Sequence, residues 1–408
     1  MGEIIVKKYG GTSVGGIDRI KNVARQLVQS RRKGYDVVAV VSAQGDTTDE
    51  LLHLAHKIDK APPTRELDML MATGEQVSMS LLAMAIHKLG WEAISFTGSQ
   101  AGISTDQRHT KARILDVNPR RIREELKKGK IVIVAGFQGR TGDEEITTLG
   151  RGGSNMTAMA LTMALGAKVC EMYTDVDGVY TADPRIVKDA RKLESISYEE
   201  MLEMASMGAQ VLQSRSVEAA GKFNIPIHVR SSFNNREGTW IIKEAKTMED
   251  VLVRGITVNK AEAKVTICDV PDKPGVAAQI FKRLADADIN VDMIIQNISR
   301  TGATDVSFTV AGSDLNRTLK CAKEISDFIK AHGVKHDKNM AKVSVVGIGM
   351  RSHSGVASKM FKALAEENIN IGMISTSEIK ISCVIDKARA EDAVRAIHKE
   401  FNLGKKKR

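Results

Sequence analysis

Apolar residues along the first 233 positions follow two rhythms. Short, nearly unbroken runs rich in Val and Ile alternate with longer stretches in which apolar residues return every three or four positions. Ile4-Ile5-Val6, Val37 to Val41, Ala93 to Phe96, Ile131 to Ala135 and Val169 to Tyr173 are of the first kind and predict buried strands. Ile17 to Lys33, Thr64 to Leu89 and Asn155 to Leu165 are of the second kind and predict helices. This alternation predicts an α/β fold, a mainly parallel sheet sandwiched by helices, spanning residues 1–233.

From Asn234 the pattern turns polar and irregular, so residues 234–262 are expected to form a linker. Beyond it the chain repeats itself. Ala263-Lys264-Val265-Thr266-Ile267 returns as Ala341-Lys342-Val343-Ser344-Val345. Pro274-Gly275-Val276-Ala277 returns as Ser354-Gly355-Val356-Ala357, and Ala287-Asp288-Ile289-Asn290-Val291 as Glu367-Asn368-Ile369-Asn370-Ile371. Each copy reads as strand, helix, strand, strand, helix, strand. Two βαββαβ modules are therefore expected, at residues 263–335 and at 336–408, the latter including a basic tail.

Composition narrows the function. The chain has 408 residues, 42% hydrophobic and 27% charged, which fits an ordinary folded protein. Its net charge of +10 would suit nucleic acid, but only 4% of residues are aromatic, leaving few stacking platforms. Much of the excess sits in the terminal Lys405-Lys406-Lys407-Arg408. Anionic small molecules explain the balance as well as nucleic acid does, and with so few aromatics no nucleic-acid partner is expected. The sequence shows no signal-peptide pattern at Met1 to Lys8 and no uninterrupted apolar run of roughly 20 residues. A cytoplasmic protein with no membrane partner is expected. Cys170, Cys268, Cys321 and Cys383 lie far apart without a paired motif, which suits reduced thiols and no metal cage.

The P-loop, dinucleotide-fingerprint and zincin motifs are absent. Instead three glycine-rich polar stretches each follow an apolar strand: Lys8 to Gly16, Ser42 to Asp49, and Gly136 to Ser154. Ligands of parallel sheets gather at the carboxyl ends of strands, and glycines let backbone N–H groups approach an anion. Any one stretch alone is explained better as a plain turn. Three of them, with Lys8 ahead of the first glycines, point to a phosphate site.

The motifs themselves are specific. Lys8-Tyr9-Gly10-Gly11-Thr12-Ser13-Val14-Gly15 resembles the N-terminal signature of the aspartate kinases. So do Val41-Ser42-Ala43-Gln44-Gly45-Asp46-Thr47-Thr48-Asp49, Arg65-Glu66-Leu67-Asp68 with Thr73-Gly74-Glu75-Gln76, and Ile146 to Ser154. Tyr173-Thr174-Asp175-Val176-Asp177-Gly178-Val179-Tyr180 through Arg185 follows in the same order, and the repeat resembles a pair of ACT modules.

The resemblance implies phosphorylation of the L-aspartate β-carboxylate by ATP with Mg2+. It implies Lys8 as the cation on the transferring phosphoryl group, beside Gly10, Gly11 and Ser13. Ser42, Thr48 and Ser154 would bind the substrate, with Glu75 on its ammonium and Arg151 on its α-carboxylate. Thr174, Asp175, Tyr180 and Arg185 would hold the nucleotide, joined by Gln210. Two positions depart from the family: Asn155 stands where Asp is usual, and Gln210 where many relatives carry Lys. These changes imply a weakened site, or a kinase-like domain kept as an amino-acid sensor. Another carboxylate or carbamate kinase is a further reading, against which Arg151 and Glu75 speak. In the repeat, lysine or threonine is expected at Asp272, Ala277, Gln296 and Asn370, with dimers or higher oligomers forming through these modules. Met248 is a possible internal start.

Overall fold

The computed structural model describes residues 2–150, 152–206, 212–244, 252–297, 302–351 and 355–404. They fall into two compact units. The first holds the described residues up to Val179 and from Lys192 to Glu244; the second holds Tyr180 to Arg191 and the described residues from Leu252 onward.

The first unit is built on an eight-stranded sheet. From one edge its strands are Ser195–Ser197, Thr239–Ile242, Ile227–Ser231, Cys170–Thr174, Ile4–Tyr9, Asp36–Val41, Ile131–Ala135 and Ala93–Phe96. Every pairing is parallel except that of Thr239–Ile242 with Ile227–Ser231. The inner strands are β-branched and buried on both faces, as a helix-covered parallel sheet requires. The Ile17–Arg32 helix turns Ile20, Val23, Ala24, Leu27 and Val28 onto one face, the spacing of an amphipathic stripe. The Thr64–Lys88 helix packs on the same core through Met79, Leu82 and Ile86. By length and composition alone it could cross a membrane, but half of its apolar window is buried, and so are its Asp68 and Glu75. The Gly153–Leu165 helix packs against the first strand, between two left-handed glycines, Gly152 (φ 73°) and Gly166 (φ 66°).

The sheet does not end at Phe233, and residues 234–262 are not a plain linker. Thr239–Ile242 adds a strand to the sheet, and Gly255–Asn259 is a strand of the second unit. The polar run before Thr239 is a hairpin connection. Gly238 lies so close to the Val229 carbonyl that a Cβ there would stand 1.8 Å from its oxygen. The pattern also gave no sign of a small sheet made of Ile114–Val117, Ile103–Thr105, Gln138–Arg140 and Ile146–Thr148. Strands of three or four residues are too short to show alternation.

The second unit contains both repeats. The first module runs Glu262–Pro271, helix Val276–Asp286, Val291–Gln296, Ala303–Ala311, helix Leu315–Ile329 and Gly333–Asp337, one antiparallel sheet under two helices. The second runs Met340–Val346, helix Val356–Glu366, Met373–Thr376, Lys380–Asp386 and helix Ala390–Glu400. Its remaining edge strand is Gly255–Asn259, which pairs antiparallel with Met340–Val346 from ahead of the first module. The first module is thus inserted within the second. Matching turns confirm the duplication: Gly275 and Gly355 cap helices at φ 92° and 97°, and Asp288 and Asn368 take left-handed φ of 54° and 53°. Cys170, Cys268, Cys321 and Cys383 are free thiols, three of them buried.

Candidate active site

A cavity of about 910 Å³ opens in the first unit, at the carboxyl ends of its central strands. Lys8, Gly11, Ser42, Thr48, Glu75, Ser154, Asn155 and Thr174 all line it. All three glycine-rich stretches therefore reach one space.

Adjacent lysines on a strand point to opposite faces. Lys7 is buried and paired with Glu171, and its Nζ also reaches Tyr173 Oη at 3.1 Å. Lys8 faces the cavity, half-buried and without a hydrogen-bond partner among the described residues. Its Nζ lies 3.5 Å from where a Cβ on Gly10 would stand. Burial pushes its pKa down to about 8, against an opposing pull that includes Glu75. The ammonium thus remains the major form at neutral pH.

Glu75 is 3% exposed. Its Oε1 accepts the Ala43 N–H at 3.0 Å, while Oε2 is buried with no partner among the described residues. Burial pushes this carboxyl up to about 7, against the Ala43 N–H and Lys8, which favour the anion. A buried oxygen without a donor is costly, so a ligand donor, an ammonium above all, would gain much by meeting it.

The Gly153–Leu165 helix starts at the cavity wall. A Cβ on Gly152 would stand 2.2 Å from Gln213 Cγ, and one on Gly153 would stand 2.8 Å from Leu149 and Phe137. The glycines therefore let the turn close against these neighbours. Ser154 and Asn155 occupy its first turn, both buried, and the Asn155 side chain bonds no described residue. The helix start favours negative charge nearby.

Other expected residues lie elsewhere. The Gly10 N–H is taken by the Tyr173 carbonyl at 3.2 Å, and Ser13 donates to Ser232 Oγ at 2.9 Å. Asp175 is exposed and accepts from Thr174 Oγ1 at 3.0 Å. Tyr180 and Arg185 belong to the second unit, where Tyr180 packs on the core and Arg185 forks onto Asp183. Asp272, Ala277 and Gln296 are exposed on the first module, and Asn370 on the second. Arg151, Gln210, Met248 and the Lys405–Arg408 tail lie outside the described residues. Sequence reasoning passed over Asp49, Thr110, Lys111, Phe137 and Gln213, which also line the cavity. Thr110 and Lys111 stand in a stretch without a motif, and nothing in it marked them.

Comparison with known proteins agrees with this architecture. Residues 3–231 match the model of the amino acid kinase family, and residues 264–327 and 343–401 each match an ACT domain. The aspartokinase of Corynebacterium efficiens is 52% identical over 406 residues, covering 98% of this chain and 96% of its own. That of Pseudomonas aeruginosa is 52% identical over 402 residues, covering 98% of both chains. Among solved structures, E. coli aspartokinase III in complex with aspartate and ADP superposes with a TM-score of 0.83 at 25% identity, covering 98% of this chain and 99% of that one. The same enzyme in complex with lysine and aspartate gives 0.75, at the same identity and coverage. The chain belongs to the amino acid kinase family and, within it, to the aspartokinases that carry a tandem pair of ACT domains.

Proposed function

We propose that the chain transfers the γ-phosphoryl group of ATP to the β-carboxylate of L-aspartate, giving 4-phospho-L-aspartate and ADP. The product feeds the synthesis of lysine, threonine and methionine. The observation that carries this reading is the pair in one cavity: Glu75 Oε2, buried and without a donor among the described residues, and Lys8, a cation without an acceptor among them. One end suits an ammonium, the other a phosphoryl group. The aspartate and ADP bound to E. coli aspartokinase III support the same pair of ligands.

An aspartate β-carboxylate is ionised at neutral pH and needs no general base. One of its oxygens attacks the γ-phosphorus, the bond from that phosphorus to the β–γ bridging oxygen breaks, and ADP leaves with the electron pair. The obstacle is repulsion between anions, which fixed positive groups relieve. In this reading Lys8, the Gly11 backbone and the start of the Gly153–Leu165 helix, all at the cavity, supply them. Ser42 and Thr48 serve the reacting carboxylate, with Ser154. Glu75 takes the ammonium and Arg151 the α-carboxylate. Thr174 and Asp175 serve the nucleotide, with Gln210 near its phosphates. Among the described residues no three His, Cys, Asp or Glu side chains converge as a metal cage. In this reading Mg2+ enters with the triphosphate as part of the substrate.

Asn155 and Gln210 lower turnover in this proposal without abolishing it. Full-length similarity to aspartokinases speaks against a sensor that has lost catalysis. Lysine, threonine or both act as effectors at the ACT modules, which also join chains into dimers or larger assemblies, in the cytoplasm. The lysine bound to E. coli aspartokinase III supports an amino-acid effector. The test is an assay with aspartate, ATP and Mg2+ in which hydroxylamine traps the acyl phosphate. The parent chain yields the hydroxamate, and Lys8→Ala yields none while keeping its melting temperature. A parent without product, or a Lys8→Ala variant with near-parental turnover, refutes the assignment.

A further inference from the structure

The cavity wall includes Thr110 and Lys111, from a loop closed at its neck where the Asp106 N–H donates to the Arg113 carbonyl at 3.0 Å. Thr110 holds φ at 66°. Glycine and asparagine visit that region readily; a β-branched residue there is a genuine outlier, strained unless its surroundings force it.

The force comes from one carboxylate. Asp68 is fully buried on the Thr64–Lys88 helix, about two turns before Glu75. Its Oδ1 and Oδ2 both accept the Thr110 N–H, at 3.0 and 3.1 Å. Oδ1 also accepts Thr148 Oγ1 at 2.5 Å, and His109 Nδ1 lies 2.8 Å from Oδ2. Thr148 ends the strand that leads into Gly150 to Ser154, and its carbonyl takes the Ala112 N–H at 2.9 Å. The Thr110 carbonyl in turn lies 3.1 Å from where a Cβ on Gly150, the residue before Arg151, would stand. Three separate pieces of cavity wall therefore converge on one buried anion: the helix of Glu75, the 106–113 loop and the approach to the Gly153–Leu165 helix.

A buried carboxylate with this many donors is held in place by them, and they by it. None of the four groups reaches Lys8 or the glycines beside it. We infer that Asp68 is a positioning residue that clamps Thr110 in its strained turn and so fixes the amino-acid side of the cavity. It touches neither substrate. Its effect falls on how well the amino acid is oriented, since small displacements of a binding wall are expensive.

This inference rests on the reaction proposed above, so the two are tested separately. Turnover of the parent chain on aspartate tests the reaction. The clamp is tested by comparing the parent with Asp68→Asn and with Thr110→Gly, which relieves the strain but keeps the carboxylate. We expect the KM for aspartate to rise about tenfold or more in both, with kcat and the KM for ATP within about threefold. Amide exchange over residues 107–112 should quicken in both, and the melting temperature of Thr110→Gly should not fall. That combination separates positioning from general weakening of the fold. An aspartate KM within about twofold of the parent in both variants overturns the clamp, as does an equal loss in both KM values and kcat. Should the parent not turn over aspartate, the reaction fails, and unchanged exchange over 107–112 in Asp68→Asn still refutes the clamp.

Discussion

Lys7 and Lys8 differ by one position and by everything around them. The pleat sends Lys7 to Glu171 and Tyr173, while Lys8 enters the cavity with Glu75. The pH dependence of the reaction follows from that second pair. In the proposed reaction Glu75 must be ionised to receive an ammonium, and burial holds its pKa near 7. Below that value kcat/KM for aspartate should fall about tenfold per pH unit, and above about pH 8 it should fall again as Lys8 loses its proton. Each group biases the other, so the two limbs report the pair. Glu75→Gln should flatten the acid limb and cut kcat/KM by about a hundredfold. The same change should stabilise the fold. The folded carboxyl keeps its proton up to about pH 7, whereas the unfolded one releases it near 4.5. Stability is therefore full below pH 4.5 and is lost as pH rises to 7, on the order of 3 kcal/mol in total. Glu75→Gln should raise the melting temperature at pH 8 more than at pH 5.5, read by calorimetry. Asn155 stands at the same cavity with its side chain unbonded to described residues, in the first turn of a helix that favours an anion. Asn155→Asp, alone or with Gln210→Lys, should raise turnover in the hydroxamate assay; an unchanged or lower rate in Asn155→Asp, Gln210→Lys and the double variant would mean the charge is not missed.

Elements legible in the sequence were those with a strong rhythm and two covered faces. The run Val37 to Val41 and the stripe from Ile20 to Val28 could hardly fold otherwise. The strand Gly255–Asn259 was hidden because its partner comes only after the whole first module, and a repeat search groups each copy with its own neighbours. Thr239–Ile242 was hidden by the polar turn before it, and the small sheet by its brevity. The gathering of Lys8, Glu75 and the glycines at one cavity was legible because each stood in a motif. Asp68 was quoted within a motif, but its partners come from distant loops, so nothing along the chain showed what it holds. Lys342 is a similar case in the repeat. It is 1% exposed on the Met340–Val346 strand and reaches Glu262 at 2.6 Å and also Asp292, both on the first module. Removing one member of a buried ion pair costs roughly 3–5 kcal/mol, because the other charge is left stranded. Lys342→Ala should lower the chain's unfolding free energy by about that amount, and Lys342→Met with Glu262→Gln should recover most of it, as denaturant titration would show.

At the scale of the whole molecule, the chain enters the second unit twice over its described residues. It leaves the first at Val179, shortly after Thr174 at the cavity, and returns at Lys192. An effector can change the reaction only by binding one arrangement of the chain more tightly than another. Titration calorimetry with lysine, threonine and their mixture should show binding below millimolar concentration, weakened by Asp272→Ala and by Gln296→Ala. Heat signals equal in parent and variants would place the effector elsewhere. The nesting of one module inside the other has a consequence for how the protein is made. On the ribosome, Gly255–Asn259 emerges before the first module and waits, at roughly 5–20 residues per second, while all of that module is synthesised. The first module begins and ends on adjacent strands, Lys264 opposite Asp337, so once folded it delivers the waiting strand to the newly made Met340–Val346. The insert thereby closes a loop that an unstructured chain would have to close at an entropic cost. A nascent fragment begun at Glu262 would contain every helix of both modules and still leave one edge of Met340–Val346 bare, open to another chain's strand.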